Sequence, residues 1–280
     1  MAAISVRTTR MSVRITLLIV IIAGLVAAVA IPAGRGKSAA AWAPASHAVP
    51  GSQAVPDSQA DPAPNTVEAV PRGTYGSGRI GPWTNLSRAI SSPGQIRQVL
   101  AADGIFMFGD SIAVQDGESL ARHLLAATGD SIAMHNWSGE PTSAAVDALE
   151  QWKRDYGLPS RILMAVNSND IFAPFAFAEQ VERVMRIVGP NRTVYWVNAQ
   201  VARTKQPSEV QVADQRNSAW LNLQLADAER RNPNLRIIHW AEFLAADPDR
   251  LETYLRDGLH TSVPRGQNAR NELIVQAIRG

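Results

Sequence analysis

Residues 79–280 predict an α/β fold, a three-layer α/β/α sandwich around a central, mainly parallel sheet of five strands. Five short runs, at 105–108, 132–135, 162–166, 194–197 and 237–240, are apolar on both faces, as buried parallel strands are. Amphipathic stretches of helical period lie between them, and that alternation puts helices on both faces of one sheet. About 200 residues are enough to bury such a core as one domain.

Ahead of this domain the chain changes character twice. Residues 1–37 include an apolar run at 15–31, broken only by Thr16 and Gly24, behind Arg7, Arg10 and Arg14. Its length sits between a signal-peptide core and a membrane span. The arginines keep the N-terminus cytoplasmic and direct the downstream chain outward. A cleaved signal peptide and a retained membrane anchor both fit, because "SAAAWA" offers small residues for a signal peptidase. The expected location is therefore extracytoplasmic, secreted or held at the membrane. Residues 38–78 carry six prolines among Ala, Ser and Gly, a composition that buries too little surface to offset chain entropy and reads as a disordered linker.

The charge is uneven. Residues 1–40 hold five basic and no acidic side chains, and the rest holds 22 basic against 25 acidic. The basic balance belongs to the N-terminus and gives no support to a nucleic-acid groove. There is no cysteine, which removes disulfides, thiol nucleophiles, a lipoprotein attachment site and Cys-ligated metal.

Within the domain, each element has a local signal. The first strand runs into Gly109-Asp110-Ser111, and a helix containing His123 comes next. The second strand leads to Asn136-Trp137-Ser138-Gly139, and the third to Asn167-Ser168-Asn169-Asp170. Phe177, Val181, Val184 and Val188 share one helix face before Gly189-Pro190-Asn191 ends it. After the fourth strand comes a loop with Arg203 and Lys205, then a helix near 212–231 that stops at Asn232-Pro233-Asn234. Beyond the fifth strand and a further helix lies "RDGLHTS", with Asp257 and His260.

Binding sites in open parallel sheets form outside the carboxyl ends of the strands. Four polar clusters fall there. Serine attack on an acyl carbon needs a base, a carboxylate to orient it and donors for the oxyanion. Asp257 and His260 can supply the first two for Ser111. The backbone N–H groups of Ser111 and Gly139 and the side-chain amide of Asn169 are the candidate donors. Glycine at 139 allows close backbone approach. His123, His135 and His239 read as structural, His47 falls in the linker, and no histidine pair has ligand spacing with a carboxylate. Asp110 reads as a turn acceptor and Asp170 as a loop brace. Trp137 either fills the core or stacks on a sugar, and the Arg203–Lys205 loop is either solvated or borders the cleft.

"FGDSIA", "NWSGEPTS", "NSND" and "DGLH", in this order, resemble the blocks of the SGNH hydrolases, also called GDSL esterases and lipases, over about residues 100–280. The resemblance implies a flavodoxin-like sheet and makes Ser111 the nucleophile, His260 the base and Asp257 its partner. It places the oxyanion hole at Ser111, Gly139 and Asn169. Acyl-enzyme chemistry of this kind needs no cofactor, and the histidine spacing gives no reason to expect a metal. One departure is Asn167, where the family usually has glycine, and Asn167 competes with Asn169 for the donor role. The expected activity is hydrolysis of an ester through an acyl-enzyme, on O-acetyl groups or lipid esters of the cell envelope. Transfer of the acyl group to a cell-wall glycan hydroxyl, and an inactive binding module on the same fold, are the alternatives.

Overall fold

The computed structural model describes residues 75–280. The expected export segment and nearly all of the linker, 1–74, lie outside the described residues. Among the described residues, no helix is long and apolar enough to cross a membrane.

In chain order the elements are β1 (Arg88–Ile90), α1 (Pro93–Ala101), β2 (Ile105–Gly109), α2 (Ser111–Thr128), β3 (Ile132–Trp137), α3 (Thr142–Asp155), β4 (Arg161–Ala165), α4 (Phe177–Val188), β5 (Thr193–Val197), α5 (Ser208–Arg231), β6 (Leu235–Ile238), α6 (Trp240–Ala245), α7 (Pro248–Tyr254) and α8 (Arg265–Arg279). The sheet order is β1-β3-β2-β4-β5-β6. Five strands are parallel, as expected. β1 adds a sixth, antiparallel to β3. It is three residues long with mostly exposed side chains, so it has no apolar run to announce it. The last strand also begins earlier than the run at 237–240 suggests. Trp240 opens α6, with its ring buried among the helices on one face of the sheet. Its hydrophobicity serves that packing and not the strand.

Alternation along the strands separates two cores, because successive side chains point to opposite faces. Phe106, Phe108, Ile162, Met164, Val194 and Trp196 pack with α1, α3, α4 and α5. Ile105, Met107, Leu163, Ala165 and Tyr195 pack with α2, α6 and α8. This is the three-layer sandwich. Residues 75–77, at the end of the expected linker, already belong to it. Asn217 Nδ2 donates to the Tyr75 carbonyl at 3.0 Å and to Ser77 Oγ at 2.9 Å, and Arg203 Nη2 donates to the Ser77 carbonyl at 2.6 Å.

The register levels the strand ends that matter. Gly109 lies opposite both Asn136 and Ala165. The segments after β2, β3 and β4 therefore leave the sheet at one height. Chain order reverses direction across the sheet at β2, between β3 and β4, and such a switch point opens a crevice at the carboxyl ends.

Candidate active site

Ser111 is the first residue of α2, and Asp110 is its N-cap. Asp110 is buried and fully used: Oδ1 accepts from Ile112 N at 3.0 Å, and Oδ2 accepts from Ser168 Oγ at 2.6 Å and Ser168 N at 3.3 Å. The carboxylate thus caps one helix and fixes the loop after β4, more than the simple turn acceptor the sequence suggests. Ser111 stands at the positive end of an 18-residue helix dipole, where developing negative charge is stabilised.

Ser111 Oγ lies 2.9 Å from His260 Nε2. His260 Nδ1 lies 3.0 Å from Asp257 Oδ2 and 3.3 Å from Oδ1. An ionised carboxylate only accepts hydrogen bonds, so Nδ1 carries the ring proton and Nε2 is free to accept from the serine. The Asp-x-x-His spacing works because one side chain does two tasks. Asp257 Oδ1 accepts from His260 N at 2.8 Å and Leu259 N at 3.2 Å, closing the turn, while Oδ2 meets the ring. Burial alone would raise the Asp257 carboxyl. The His260 backbone N–H, the His260 ring and the Leu259 N–H outweigh it and hold the group below the usual carboxylate range.

The turn is docked from the side. Ala202 N donates to the Gly258 carbonyl at 2.8 Å and Thr204 N to the Asp257 carbonyl at 3.0 Å. Gly258 has φ +77°, and a Cβ there would overlap the Ala202 carbonyl. Only glycine fits on both counts. Arg203, between the two donors, pairs with the buried Asp214 at 2.8 Å and covers the Phe172 ring at 4.9 Å. The Arg203–Lys205 loop does border the site: Arg203, Lys205, Gln206 and Leu259 line a cavity of about 190 Å³ with Asp257 and His260.

Gly139 also has positive φ, +77°, with Trp83 packed where a Cβ would be, 2.7 Å from the Trp83 Cβ. Trp83 meets the Trp137 ring edge-on at 5.2 Å, and Arg88 lies over that ring. Trp137 is thus built into the wall behind Gly139. Among the described residues, neither Ser111 N–H nor Gly139 N–H has a hydrogen-bond acceptor. Asn169 Nδ2 donates to the Glu140 carbonyl at 3.0 Å, which ties the loop after β4 to the loop after β3 and leaves its second N–H.

Asn167 is tied to a different strand. Its Nδ2 donates to the Val197 carbonyl at 2.8 Å, at the end of β5. Its φ of 177° is extended backbone, so the position makes no demand for glycine or positive φ. Asp170 is buried and accepts from Thr142 Oγ1 at 2.6 Å and Thr142 N at 3.1 Å. Of the histidines read as structural, His135 faces the buried Glu140, with Nδ1 3.7 Å from its Oε2. His239 pairs with Glu242 at 3.5 Å, and His123 is exposed on α2.

Burial pushes the Asp170 carboxyl up to about 7, against the two Thr142 bonds that lower it. The folded state therefore binds a proton more tightly than the unfolded chain, whose carboxyl keeps an ordinary value near 3.8. Stability from this group falls as pH rises from about 4 to about 7. Thermal melts across that range should show the decline, and Asp170→Asn should flatten it. An equal slope in both proteins would assign the decline to other groups.

Sequence reasoning does not single out Ser168, Trp83, Asp116 or Thr261. Ser168 sits inside "NSND", but its bond to Asp110 spans 58 positions. Thr261 sits inside "RDGLHTS", but its bond to Asp116 spans 145 positions, and Trp83 and Asp116 carry no local signal.

No protein-family description and no curated protein matches the sequence. Solved structures do match in three dimensions. A lipase/acylhydrolase from Enterococcus faecalis superposes with TM-score 0.50 at 22% identity, over 63% of this chain and 95% of that one. A GDSL-like lipase from Bacteroides thetaiotaomicron gives 0.50 at 16%, over 68% and 91%. A member of the lipolytic G-D-S-L family from Veillonella parvula gives 0.52 at 14%, over 63% and 98%. Each neighbour is covered almost whole, and the match to this chain is one domain long. The described domain has the fold of the SGNH, or GDSL-type, hydrolases.

Proposed function

We propose that this chain is an exported or membrane-tethered serine esterase that hydrolyses an ester of the cell envelope through an acyl-enzyme. The observation that carries the reading is the relay of Ser111 Oγ to His260 Nε2 at 2.9 Å and His260 Nδ1 to Asp257 Oδ2 at 3.0 Å. Binding alone gives no reason for three such groups, drawn from two ends of the domain, to meet in one crevice.

In the first half-reaction Ser111 Oγ attacks the acyl carbon and its proton passes to His260 Nε2. The Asp257 carboxylate stabilises the imidazolium without taking its proton. The tetrahedral oxyanion is held by the N–H groups of Ser111 and Gly139 and by Asn169 Nδ2. Collapse of the intermediate releases the alcohol, which takes the proton from His260. Water then repeats the sequence against the acyl-serine, and the acid leaves. The apolar, Arg-flanked run at 15–31 and the proline-rich stretch at 38–78 support the envelope setting.

The test is incubation with an aryl acetate, with and without a soluble sugar acceptor, alongside labelling by a fluorophosphonate. Free acetate as the sole acyl product and a phosphonylated Ser111 are expected. Acetylated sugar would replace hydrolysis by acyl transfer, and an unlabelled, inert protein would replace catalysis by binding.

A further inference from the structure

We infer that Asp116 is a positioning residue for His260, acting through the hydroxyl of Thr261; the inference rests on the esterase reading and names a part of its machinery. Asp116 lies on α2, five residues after Ser111 and so about 7.5 Å along the helix. Thr261 is the residue after His260. Both are buried, at 1% and 0% exposure. Thr261 Oγ1 donates to the Asp116 carboxylate, 2.9 Å from each oxygen. Gln115 Nε2 reaches Thr261 Oγ1 at 2.7 Å, the Thr261 carbonyl at 3.1 Å and Asp116 Oδ1 at 3.0 Å. Gln267 Nε2, from α8, adds a bond to Asp116 Oδ1 at 3.2 Å and one to the Gln115 carbonyl at 3.3 Å.

The direction of these bonds matters. Every partner of Asp116 is a donor, so the site calls for a group that only accepts, which is a carboxylate. A buried carboxylate needs compensation, and the buried Arg270 supplies charge: the attraction of Asp116 and Asp110 offsets part of the cost of burying its guanidinium. The Arg270 Nε and Nη1 have no hydrogen-bond partner among the described residues, so its role here is that of a counter-charge.

The turn 255–261 is held to itself by the Leu255–Thr261 bridge and by Arg256 N on the His260 carbonyl at 2.8 Å. It is held on one flank by residues 202 and 204. The Gln115–Asp116–Thr261 cluster fixes its other flank to the helix that begins with Ser111. That cluster therefore sets the gap between nucleophile and base by structure that does not itself react. A displacement of about 1 Å at such a pair costs on the order of 100-fold in rate.

The experiment compares Thr261→Val, which keeps the shape and loses the hydroxyl, with Thr261→Ser, which keeps the hydroxyl, and adds Asp116→Asn. Thr261→Val and Asp116→Asn should lower kcat by about 10- to 100-fold with KM within about twofold, and Thr261→Ser should stay near the parent. Gln115→Leu, at a part-exposed site, is the milder variant, with a smaller loss of kcat, and decides the matter if Thr261→Val does not fold. Nitrogen shifts of the His260 ring give a readout independent of turnover. A single Nδ1–H tautomer is expected in the parent and in Thr261→Ser, and averaged shifts in Thr261→Val. Parent-like kcat and ring shifts in the folded valine or leucine variant, or a serine variant as slow as the valine one, would overturn the inference. A parent protein inert to ester and phosphonate would overturn the esterase reading instead, and the ring shifts would still report on the positioning.

Discussion

Ser111→Ala is expected to abolish phosphonate labelling and to lower kcat on an aryl acetate by about 10⁶-fold, the scale of loss on removing a serine nucleophile. Its melting temperature should hardly move. Ser111 Oγ makes one side-chain hydrogen bond, to a part-buried imidazole, and such a bond contributes about 1 kcal/mol net. Loss of activity without loss of stability separates a reacting group from a structural one. Retained turnover in the alanine variant would place the chemistry elsewhere.

Asp257→Asn is the second large effect, a drop in kcat of about 10⁴-fold. The side-chain oxygen of the new residue would stay on the His260 and Leu259 N–H groups, which hold Asp257 Oδ1 at 2.8 and 3.2 Å. Its amide nitrogen would then occupy the position of Oδ2, facing Nδ1. Two donors cannot bond, so the ring would take the other tautomer and present Nε2–H to Ser111, a donor where a base is required. The turn survives and the base is lost. Measured against Asp257→Ala, which leaves Nδ1 free to hydrogen-bond water, the asparagine variant should be no better. Asparagine activity well above that of alanine would show that the carboxylate's contribution is not the tautomer.

Much of this arrangement is legible in the sequence. Buried parallel strands are continuous apolar runs, and the five runs mark five strands. The polar residues that come after them are conspicuous because four such clusters fall at the carboxyl ends of the strands, where one crevice can collect them. The features that stay hidden have a common cause. β1 is a short half-exposed edge strand whose partner, β3, lies over forty residues later. Trp240 reads as strand by hydrophobicity and is helix by packing. The Asp116–Thr261 bond joins positions 145 apart, and nothing in "VQDGE" or "LHTSV" points from one to the other. Asn167 shows the reverse case. Its departure from the expected glycine looks consequential in the sequence, but its backbone is extended and its amide closes on Val197.

The 149 positions that separate Ser111 from His260 have an effect on biogenesis. A growing polypeptide that has already built the strand and helix around its hydroxyl still lacks the imidazole, and on the proposed mechanism it is inert toward esters until the last stretch has been made and packed. Turnover is then a stricter reporter of complete folding than helix content. A molecule that lacks its C-terminal helices lacks the imidazole as well, and on the proposed mechanism it is silent in an esterase assay.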